Sequence, residues 1–369
     1  RDAPGADERP SAVAHRHAMK PLFHPSLIHP PFGDPGVFID ALFARQAFLF
    51  DLGDLSPLPP RKLLRVSHAF VSHTHLDHFI GFDQLLRLSL GRDKRLHLFG
   101  PAGFVDQVWH RLNGYSWNLV ENYVTDFTIA ATELHPDGKL LTTEFHCRSA
   151  FRCANDTVTH APAGLLLDEE TFTVRAACLD HDIPCLAFAL EEKCHVNFMR
   201  NRLIELDLPV GPWLTEVRRA VLRGDPDERQ FSVPLQRGES EAERILSLGE
   251  LKREVLTVVR GQKIGYVTDV LFSPENARRI EELVRGADYL FIETPFLHED
   301  MERARSRYHL TARQAGMLAR RSAAERVIPF HFSPRNLGRE ACLRQELADV
   351  LTCSDLKEKQ EPEKRGQDQ

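Results

Sequence analysis

Four side chains that can bind a transition metal fall within the short stretch Val71–His78, which reads Val-Ser-His-Thr-His-Leu-Asp-His. They are His73, His75, Asp77 and His78. Imidazole and carboxylate groups are ligands that suit zinc, manganese and iron. Alternate residues of an extended backbone point the same way, so His73 and His75 can bind one ion, while Asp77 and His78 can reach a second point past the bend. The spacing predicts a metal site rather than a histidine-rich surface loop.

The elements that must position such ligands are strands. The apolar run Ala69–Val71 reads as a buried strand, and four further apolar runs also end in a residue of the ligand or catalytic type. Polar groups at the strand ends of one sheet lie along one edge, where α/β folds place their sites. We therefore expect the following residues to meet, although a lone His181 would more often be structural: His73, His181, Asp269, Glu293 and His331.

Composition narrows the function. The 369 residues suffice for one large domain or two ordinary ones, and 42% of them are hydrophobic. A net charge of −6 excludes a global basic field of the kind that marks many nucleic-acid-binding proteins, so a polyanion site must be a local patch. Seven cysteines without a Cys-x-x-Cys pair predict a reducing, cytoplasmic compartment and no thiolate zinc site. No apolar run approaches the roughly 18 residues of a membrane helix, so no membrane contact is predicted.

The pattern of apolar and charged residues along the chain predicts one mixed α/β domain over residues 21–354 with a segment inserted at about 191–250. That segment mixes arginines with acids around Gly211-Pro212-Trp213 and shows little apolar periodicity. It is either an arm standing apart from the core or a solvated helix-turn-helix. Residues 1–20 are predicted to be a disordered or non-native tail, since Met19 is a candidate start, and residues 355–369 a disordered tail.

Local patterns predict several further elements. The Pro-rich stretch Pro21–Pro35 is expected to be irregular. Two helices carry start signals: Ser273 caps a helix with Pro274 at its first position, and Thr311 with Gln314 fits a capping box. Other elements are expected as strands at 37–41, 47–51, 95–100, 125–146, 171–179, 185–190, 263–268, 288–292 and 326–330, and as helices at 83–90, 101–113 and 336–350.

The motifs together resemble the ribonuclease Z branch of the metallo-β-lactamase superfamily. Ser72–His78 is similar to the His-x-His-x-Asp-His signature, and Leu179–Cys185 to the third motif of that branch. Asp269 matches the bridging aspartate, and His331–Arg335 resembles the last ligand motif. Ile292-Glu293-Thr294 and His309-Leu310-Thr311 resemble the two catalytic motifs that set this branch apart from lactamases. Gly211-Pro212 resembles the Gly-Pro motif of its tRNA-binding arm.

The resemblance implies an αββα sandwich that holds two zinc ions at one edge, or manganese in their place. His73, His75 and His181 would hold the first ion. Asp77, His78 and His331 would hold the second, Asp269 would bridge the two, and Asp77 would also belong to the catalytic set. Such a pair of ions clamps phosphoryl oxygens and activates water for attack on phosphorus. The implied activity is cleavage of the 3′ trailer of tRNA precursors by a homodimer.

Two catalytic roles lie outside the ligand set. His309 precedes a capped helix N-terminus, where an anion is favoured, and could stabilise phosphoryl oxygens or protonate the leaving oxygen. Glu293 would fix the tautomer of His309. The alternatives without a catalytic role are that His309 is an exposed loop histidine and that Glu293 forms a structural ion pair with a neighbouring arginine. The arginines near these motifs form a candidate phosphate patch or a solvated helix face: Arg303, Arg305, Arg307, Arg313 and Arg335.

Two other functions stay open at this point. The same metal site could hydrolyse a small phosphodiester such as a cyclic nucleotide, or an ester or lactone, which would need no tRNA-binding arm. A non-catalytic, metal-stabilised RNA-binding module is the third reading, and Glu293 and His309 argue against it.

Overall fold

The computed structural model describes residues 22–42, 46–235 and 243–353, so the two predicted tails lie outside the described residues. Within these ranges the chain forms two large sheets, a smaller inserted unit and covering helices. The first sheet runs in sequential order through β1 (Phe23–Leu27), β2 (Val37–Ala41), β3 (Ala47–Phe50), β4 (Val66–Phe70), β5 (Arg95–Pro101), β6 (Thr128–Leu134), β7 (Lys139–His146) and β8 (Cys153–His160).

The second sheet is interrupted by the inserted unit. It begins with β9 (Leu165–Asp168), β10 (Phe172–Asp180) and β11 (Pro184–Glu192). The inserted unit contributes β12 (Cys194–Phe198), β13 (Gln230–Pro234), β14 (Glu243–Ser247) and β15 (Leu256–Arg260). The second sheet is then completed by β16 (Lys263–Val267), β17 (Tyr289–Glu293) and β18 (Arg326–Phe330), and its spatial order is β18-β17-β16-β11-β10-β9.

Helices cover both outer faces of the sheets and build part of the inserted unit. In chain order they are α1 (Pro60–Leu63), α2 (Leu76–Phe79), α3 (Phe82–Ser89), α4 (Phe104–Asn113), α5 (Arg200–Glu205), α6 (Trp213–Arg223), α7 (Leu248–Glu254), α8 (Pro274–Val284), α9 (Met301–Ser306), α10 (Ala312–Arg321) and α11 (Glu340–Thr352). None of these helices has the length and apolar character that spanning a bilayer requires.

The central strands are buried on both sides because the middle of each sheet is covered on both faces. Along β3, Phe48 and Phe50 point into the layer between the sheets, while Ala47 and Leu49 point toward α3 and α4. Successive strand residues alternate between faces, so a doubly covered strand reads as a continuous apolar run. A third apolar layer joins the second sheet to α8, α10 and α11. The predicted αββα sandwich is therefore confirmed.

Three predictions for the main domain were wrong in detail. Residues 21–35 are not all irregular, because β1 pairs with β2 at the edge of the sheet, where Pro25 is tolerated. The helix expected from residue 101 begins at Phe104, because β5 continues through Pro101 and Glu133 Oε2 accepts hydrogen bonds from the backbone N–H groups of Gly103 and Val105. The last helix begins at Glu340, four residues later than expected.

The inserted unit has its own apolar core, which excludes the solvated helix-turn-helix reading. Val196, Trp213, Val217, Phe231 and Leu251 are buried together in a cluster separate from the three layers of the sandwich. Strand β15 pairs with β12, so the unit closes at residue 260 rather than at the expected 250. We call residues 194–260 the arm.

A buried histidine in the sandwich makes stability depend on pH. His68 stacks on His97 at 4.8 Å between ring centroids, and burial, assisted by the charge of His97, lowers the pKa of His68 to about 3. The imidazole of His68 takes up a proton near pH 6.5 in the unfolded chain but not in the folded chain. The stability that comes from the neutral, buried ring is therefore fully present above pH 6.5 and is lost as pH falls toward 3. We expect the free energy of unfolding to fall by about 2 kcal/mol between pH 7.5 and 5 because of His68.

Replacing His68 with phenylalanine should remove that loss, since phenylalanine does not titrate. Urea unfolding of the metal-free protein at pH 7.5 and 5 measures it, with His24→Phe on an exposed position of β1 as the control. The same acid-induced loss of unfolding free energy in His68→Phe and in the unaltered chain would contradict the assignment.

Candidate metal centre

The predicted strand ends meet at one edge of the sandwich. Strands β16, β17 and β18 are parallel, so their carboxyl ends bring Asp269, Glu293 and His331 to the same side of the second sheet. Strand β10 is antiparallel to β11, which is antiparallel to β16, so His181 after β10 joins them. The first sheet faces this edge with the turn after β4, where Leu186 N donates to Ser72 O across the two sheets.

The structure gathers the predicted ligand residues into two adjoining groups. Donor atoms of His73, His75, His181 and Asp269 lie within 4.8 Å of one another, and those of Asp77, His78 and His331 form a second set within the same limit. Asp269 lies between the groups: its Oδ2 is 3.6 Å from His73 Nε2, 3.4 Å from His78 Nε2 and 3.3 Å from His181 Nε2. Its Oδ1 is 2.8 Å from His331 Nδ1. This is the position that a bridging carboxylate would need.

Hydrogen bonds fix the tautomers of three of these histidines. His181 Nδ1 donates to the carbonyl oxygen of Tyr308 at 2.8 Å, and His78 Nδ1 donates to Asp51 Oδ2 at 2.8 Å. The hydroxyl of Ser72 donates to Asp51 and so accepts from His73 Nδ1 at 3.0 Å. In its neutral form each ring has its unprotonated Nε2 facing Asp269, which is the form in which imidazole binds a metal.

The donor set fits divalent metal ions. The Nε2 atoms of His73 and His78 are buried and have no hydrogen-bond partner among the described residues, although a buried polar atom ordinarily has one. Burial would raise the pKa of Asp269, but His331 and His78 hold it well below its usual range. Burial likewise opposes the charge on His78, but Asp269 and Asp51 raise its pKa to about 10. The buried carboxylates thus require positive charge where the unpaired nitrogens converge.

Asp51 is a site residue that the sequence analysis did not assign. It is fully buried at a φ of +58° directly after β3, and it accepts from Ser72, from His78 and from the hydroxyl of Tyr266 at 2.8 Å. It therefore orients His78, and His73 through Ser72. The available signal was a sixth apolar run ending in a ligand-type residue, Ala47–Phe50 before Asp51.

His309 and Glu293 form a dyad beside the ligand groups. Glu293 is fully buried, its Oε2 accepts from His309 Nδ1 at 2.8 Å, and its Oε1 accepts from the backbone N–H groups of Val270 and Leu310. Burial would raise the pKa of Glu293, but His309 lowers it, so the carboxylate stays ionised. The predicted capping box of Thr311 and Gln314 is present, and Phe296 O accepts from Ala312 N at the start of α10. Glu293 thus orients the imidazole of His309 through Nδ1, and no hydrogen bond to Nε2 forms among the described residues.

A cavity of about 500 Å³ opens onto the two ligand groups and His309. Among the five arginines that the sequence analysis singled out, Arg303, Arg307 and Arg335 line this cavity, whereas Arg305 and Arg313 do not. The cavity therefore has a carboxylate- and imidazole-rich floor and a guanidinium-rich wall. A floor that binds cations beside a wall that binds anions suits a phosphorylated substrate.

Comparison with known proteins decides the family. A model of the beta-lactamase superfamily domain matches residues 242–332. Ribonuclease Z of Deinococcus radiodurans is 31% identical over 315 residues, which cover 84% of this chain and 89% of that protein. The chain belongs to the ribonuclease Z family. Ribonuclease Z of Acaryochloris marina is 26% identical over 312 residues, covering 82% and 81% of the two chains.

A further similarity is to the solved structure of the short form of human tRNase Z, with a TM-score of 0.48 and 19% identity over 84% of this chain and 90% of that chain. Membership in the ribonuclease Z family confirms the resemblance that the His-x-His-x-Asp-His stretch and the motifs around Glu293, His309 and His331 indicated. The superfamily match over residues 242–332 includes Asp269, Glu293, His309 and His331, which are four of the residues at the cavity or directly beneath it.

Proposed function

We propose that this protein is a metal-dependent endoribonuclease that cleaves the 3′ trailer from tRNA precursors. The observation that carries the proposal is the joint presence of the two ligand groups and the Glu293–His309 dyad on one guanidinium-lined cavity, in a chain of the ribonuclease Z family. Phosphodiester cleavage needs activated water, an anion-stabilising wall and a proton donor for the leaving oxygen. The cavity offers groups suited to each of these needs.

The metal ligands are proposed to be His73, His75 and His181 for one ion and Asp77, His78 and His331 for another, with Asp269 shared. Zinc is proposed because nitrogen and carboxylate ligands in sets of three with an open position are typical of catalytic zinc sites. Bound divalent ions supply the Lewis acidity that activates water and offsets the charge of phosphoryl oxygens. Asp51, Ser72 and the carbonyl of Tyr308 hold the imidazole rings in the ligating tautomer.

His309 is proposed to act on the substrate rather than on a metal. His309 lines the cavity while its Nδ1 is bonded to Glu293, and the pKa of His309 is raised, since Glu293 outweighs the opposing effect of burial. A protonated imidazole held by a buried carboxylate can donate its proton to the leaving 3′-oxygen. Asp77, which also lines the cavity, completes the proposed catalytic set.

Cellular context follows from the same proposal. All seven cysteines are free, which agrees with a reducing compartment, so we place the protein in the cytoplasm. A homodimer is proposed from the resemblance, with the arm of one subunit reaching the tRNA held by the other. The exposed side chains of Ile204 and Val210, near Gly211-Pro212, are available for such a contact.

One observation favours the small-phosphodiester alternative. At least four of the ten arm arginines are in ion pairs: Arg202 with Glu205 and Glu254, Arg223 and Arg229 with Asp225, and Arg260 with Asp288. These pairs reduce the positive charge that the arm can offer to RNA, which favours a substrate that needs no arm.

Deleting the arm separates the two functions. Glu192 N donates to Gln262 O at 2.9 Å, so a short turn can join Lys193 to Gly261 in place of residues 194–260. Gly261 must be kept, because a Cβ there would lie 2.0 Å from Glu192 O. We expect the efficiency of pre-tRNA cleavage to fall on the order of 100-fold, equivalent to about 3 kcal/mol of lost binding.

Hydrolysis of bis(p-nitrophenyl) phosphate by the deletion variant should stay within about threefold of the unaltered rate, because the arm core is separate from the sandwich core. Circular dichroism and metal content establish that the variant is folded. Unchanged cleavage of pre-tRNA after the deletion would show that the arm does not bind the substrate, whereas hydrolysis of bis(p-nitrophenyl) phosphate without cleavage of pre-tRNA, with or without the arm, would support the small-phosphodiester alternative.

A further inference from the structure

Helix α9 and the turn after it carry two guanidinium groups to the cavity. Arg303 lies in α9 and Arg307 is the residue directly after its C-terminal end, and both line the cavity that holds the ligand groups. The same segment carries His309: its backbone N–H donates to Ala304 O at 2.9 Å, and Arg307 N donates to Arg303 O at 3.1 Å. The two guanidinium groups are therefore positioned by the element that positions the catalytic imidazole.

Neither guanidinium group is neutralised within residues 22–42, 46–235 and 243–353. No carboxylate of these residues forms an ion pair with Arg303 or Arg307, and no acceptor takes a hydrogen bond from their side chains. Other exposed arginines do form ion pairs, such as Arg278 with Glu275 and Glu282 and Arg339 with Glu299. Two unpaired cations on one wall of a substrate cavity indicate an anion supplied from outside.

That anion is distinct from the phosphate that reacts. The reacting phosphate must lie over the ligand groups on the floor, within reach of His309. The cavity, at about 500 Å³, falls in the range that holds a drug-sized ligand and exceeds the space of one phosphate group. A guanidinium pair binds phosphate through several parallel N–H donors, which is the geometry that a backbone phosphate accepts.

We infer that Arg303 and Arg307 bind a backbone phosphate of the RNA that neighbours the scissile one, so that the site selects a nucleotide chain over a single phosphodiester. The inference rests on the proposed function and specifies which substrates the site accepts. A cyclic nucleotide or an isolated diester has no second phosphate, so contact with Arg303 and Arg307 would not strengthen its binding.

Binding measurements on the zinc-loaded His309→Ala protein test the inference. The zinc keeps the site occupied, and the substitution slows cleavage so that binding is measured without turnover. Introducing Arg303→Gln and Arg307→Gln together should raise the Kd for a tRNA precursor about tenfold or more in 0.1 M salt. The slope of log Kd against log salt concentration should fall by about 0.7 to 0.9, the value for one lost phosphate contact.

Arg305→Gln is the matched control, since Arg305 is exposed on the same helix but does not line the cavity. It should leave both the Kd and the salt slope at their unaltered values. Lysine at positions 303 and 307 should restore the slope, because the charge returns, but only part of the affinity. A Gln pair whose Kd and slope equal those of Arg305→Gln would overturn the inference.

Kinetic measurements on the protein with His309 intact distinguish failure of the inference about Arg303 and Arg307 from failure of the proposed function. The ratio of kcat/KM for pre-tRNA to that for bis(p-nitrophenyl) phosphate should fall about tenfold in the Gln pair, mainly through KM for pre-tRNA. A protein that cleaves pre-tRNA but keeps its ratio in the Gln pair refutes the inference alone. A protein that does not cleave pre-tRNA refutes both.

Discussion

Replacing His309 with alanine should lower kcat for pre-tRNA cleavage by about 10³-fold while the metal content stays unchanged. Loss of a positioned proton donor costs about 10²- to 10⁴-fold, and the neighbouring guanidinium groups would continue to bind substrate. The metal readout matters because His309 also lies close to Asp269, Glu293 and His331 in an arrangement that could itself hold an ion. Single-turnover rates and elemental analysis of the same samples measure both quantities.

Glu293→Gln is the companion variant, since it keeps the size of the side chain but removes the charge that orients His309 and raises its pKa. Its kcat should fall less than that of His309→Ala, with KM little altered. A His309→Ala protein that loses metal would show instead that His309 is a ligand, and one that retains full activity would remove it from the mechanism.

Replacing Asp269 with asparagine should reduce bound zinc to less than one ion per chain and lower pre-tRNA cleavage by at least about 10³-fold. Four imidazoles surround the buried carboxylate, three with Nε2 within 3.6 Å of Oδ2, and the neutral amide supplies neither the charge nor a shared oxygen pair. Asparagine tolerates the φ of +46° at this position, so the backbone should keep its course.

Asp180→Asn provides the control at the same edge of the sheet, because Asp180 is exposed and belongs to none of the ligand groups. Elemental analysis and equilibrium binding of zinc at fixed pH measure the effect. Retention of two ions per chain by Asp269→Asn, with activity close to that of Asp180→Asn, would show that Asp269 does not bridge.

The site was predictable where its residues follow apolar strands. His73, His181, Asp269, Glu293 and His331 each lie at or shortly after the end of such a run, and parallel pairing in the second sheet brings three of them together. Asp51 follows the same rule, but its role depends on hydrogen bonds to Ser72, His78 and Tyr266, which is 215 residues away along the chain. No local pattern carries that information.

The arm was the least predictable part of the fold. Its core joins Val196, Trp213, Phe231 and Val255, which are distant in sequence, and short strands and helices contribute only one or a few of these residues each. Periodicity within any one element is therefore weak although the unit as a whole is well packed. Strand β1 was missed for a related reason, since its pairing with β2 and the burial of Phe23 override the Pro- and His-rich composition of the segment.

Sequence alone also could not sort the arginines. All five near the catalytic motifs have the same chemistry, and only the path of α9 separates Arg303 and Arg307, which line the cavity, from Arg305, which does not.

The most direct test of the proposed function is to incubate the zinc-loaded protein with a tRNA precursor that carries a 3′ trailer and to sequence the ends of the products. We expect one cut that releases the trailer, no cut after chelation and recovery of the cut when zinc is returned. An intact precursor in the presence of protein that holds its metal and hydrolyses bis(p-nitrophenyl) phosphate would contradict the assignment to tRNA.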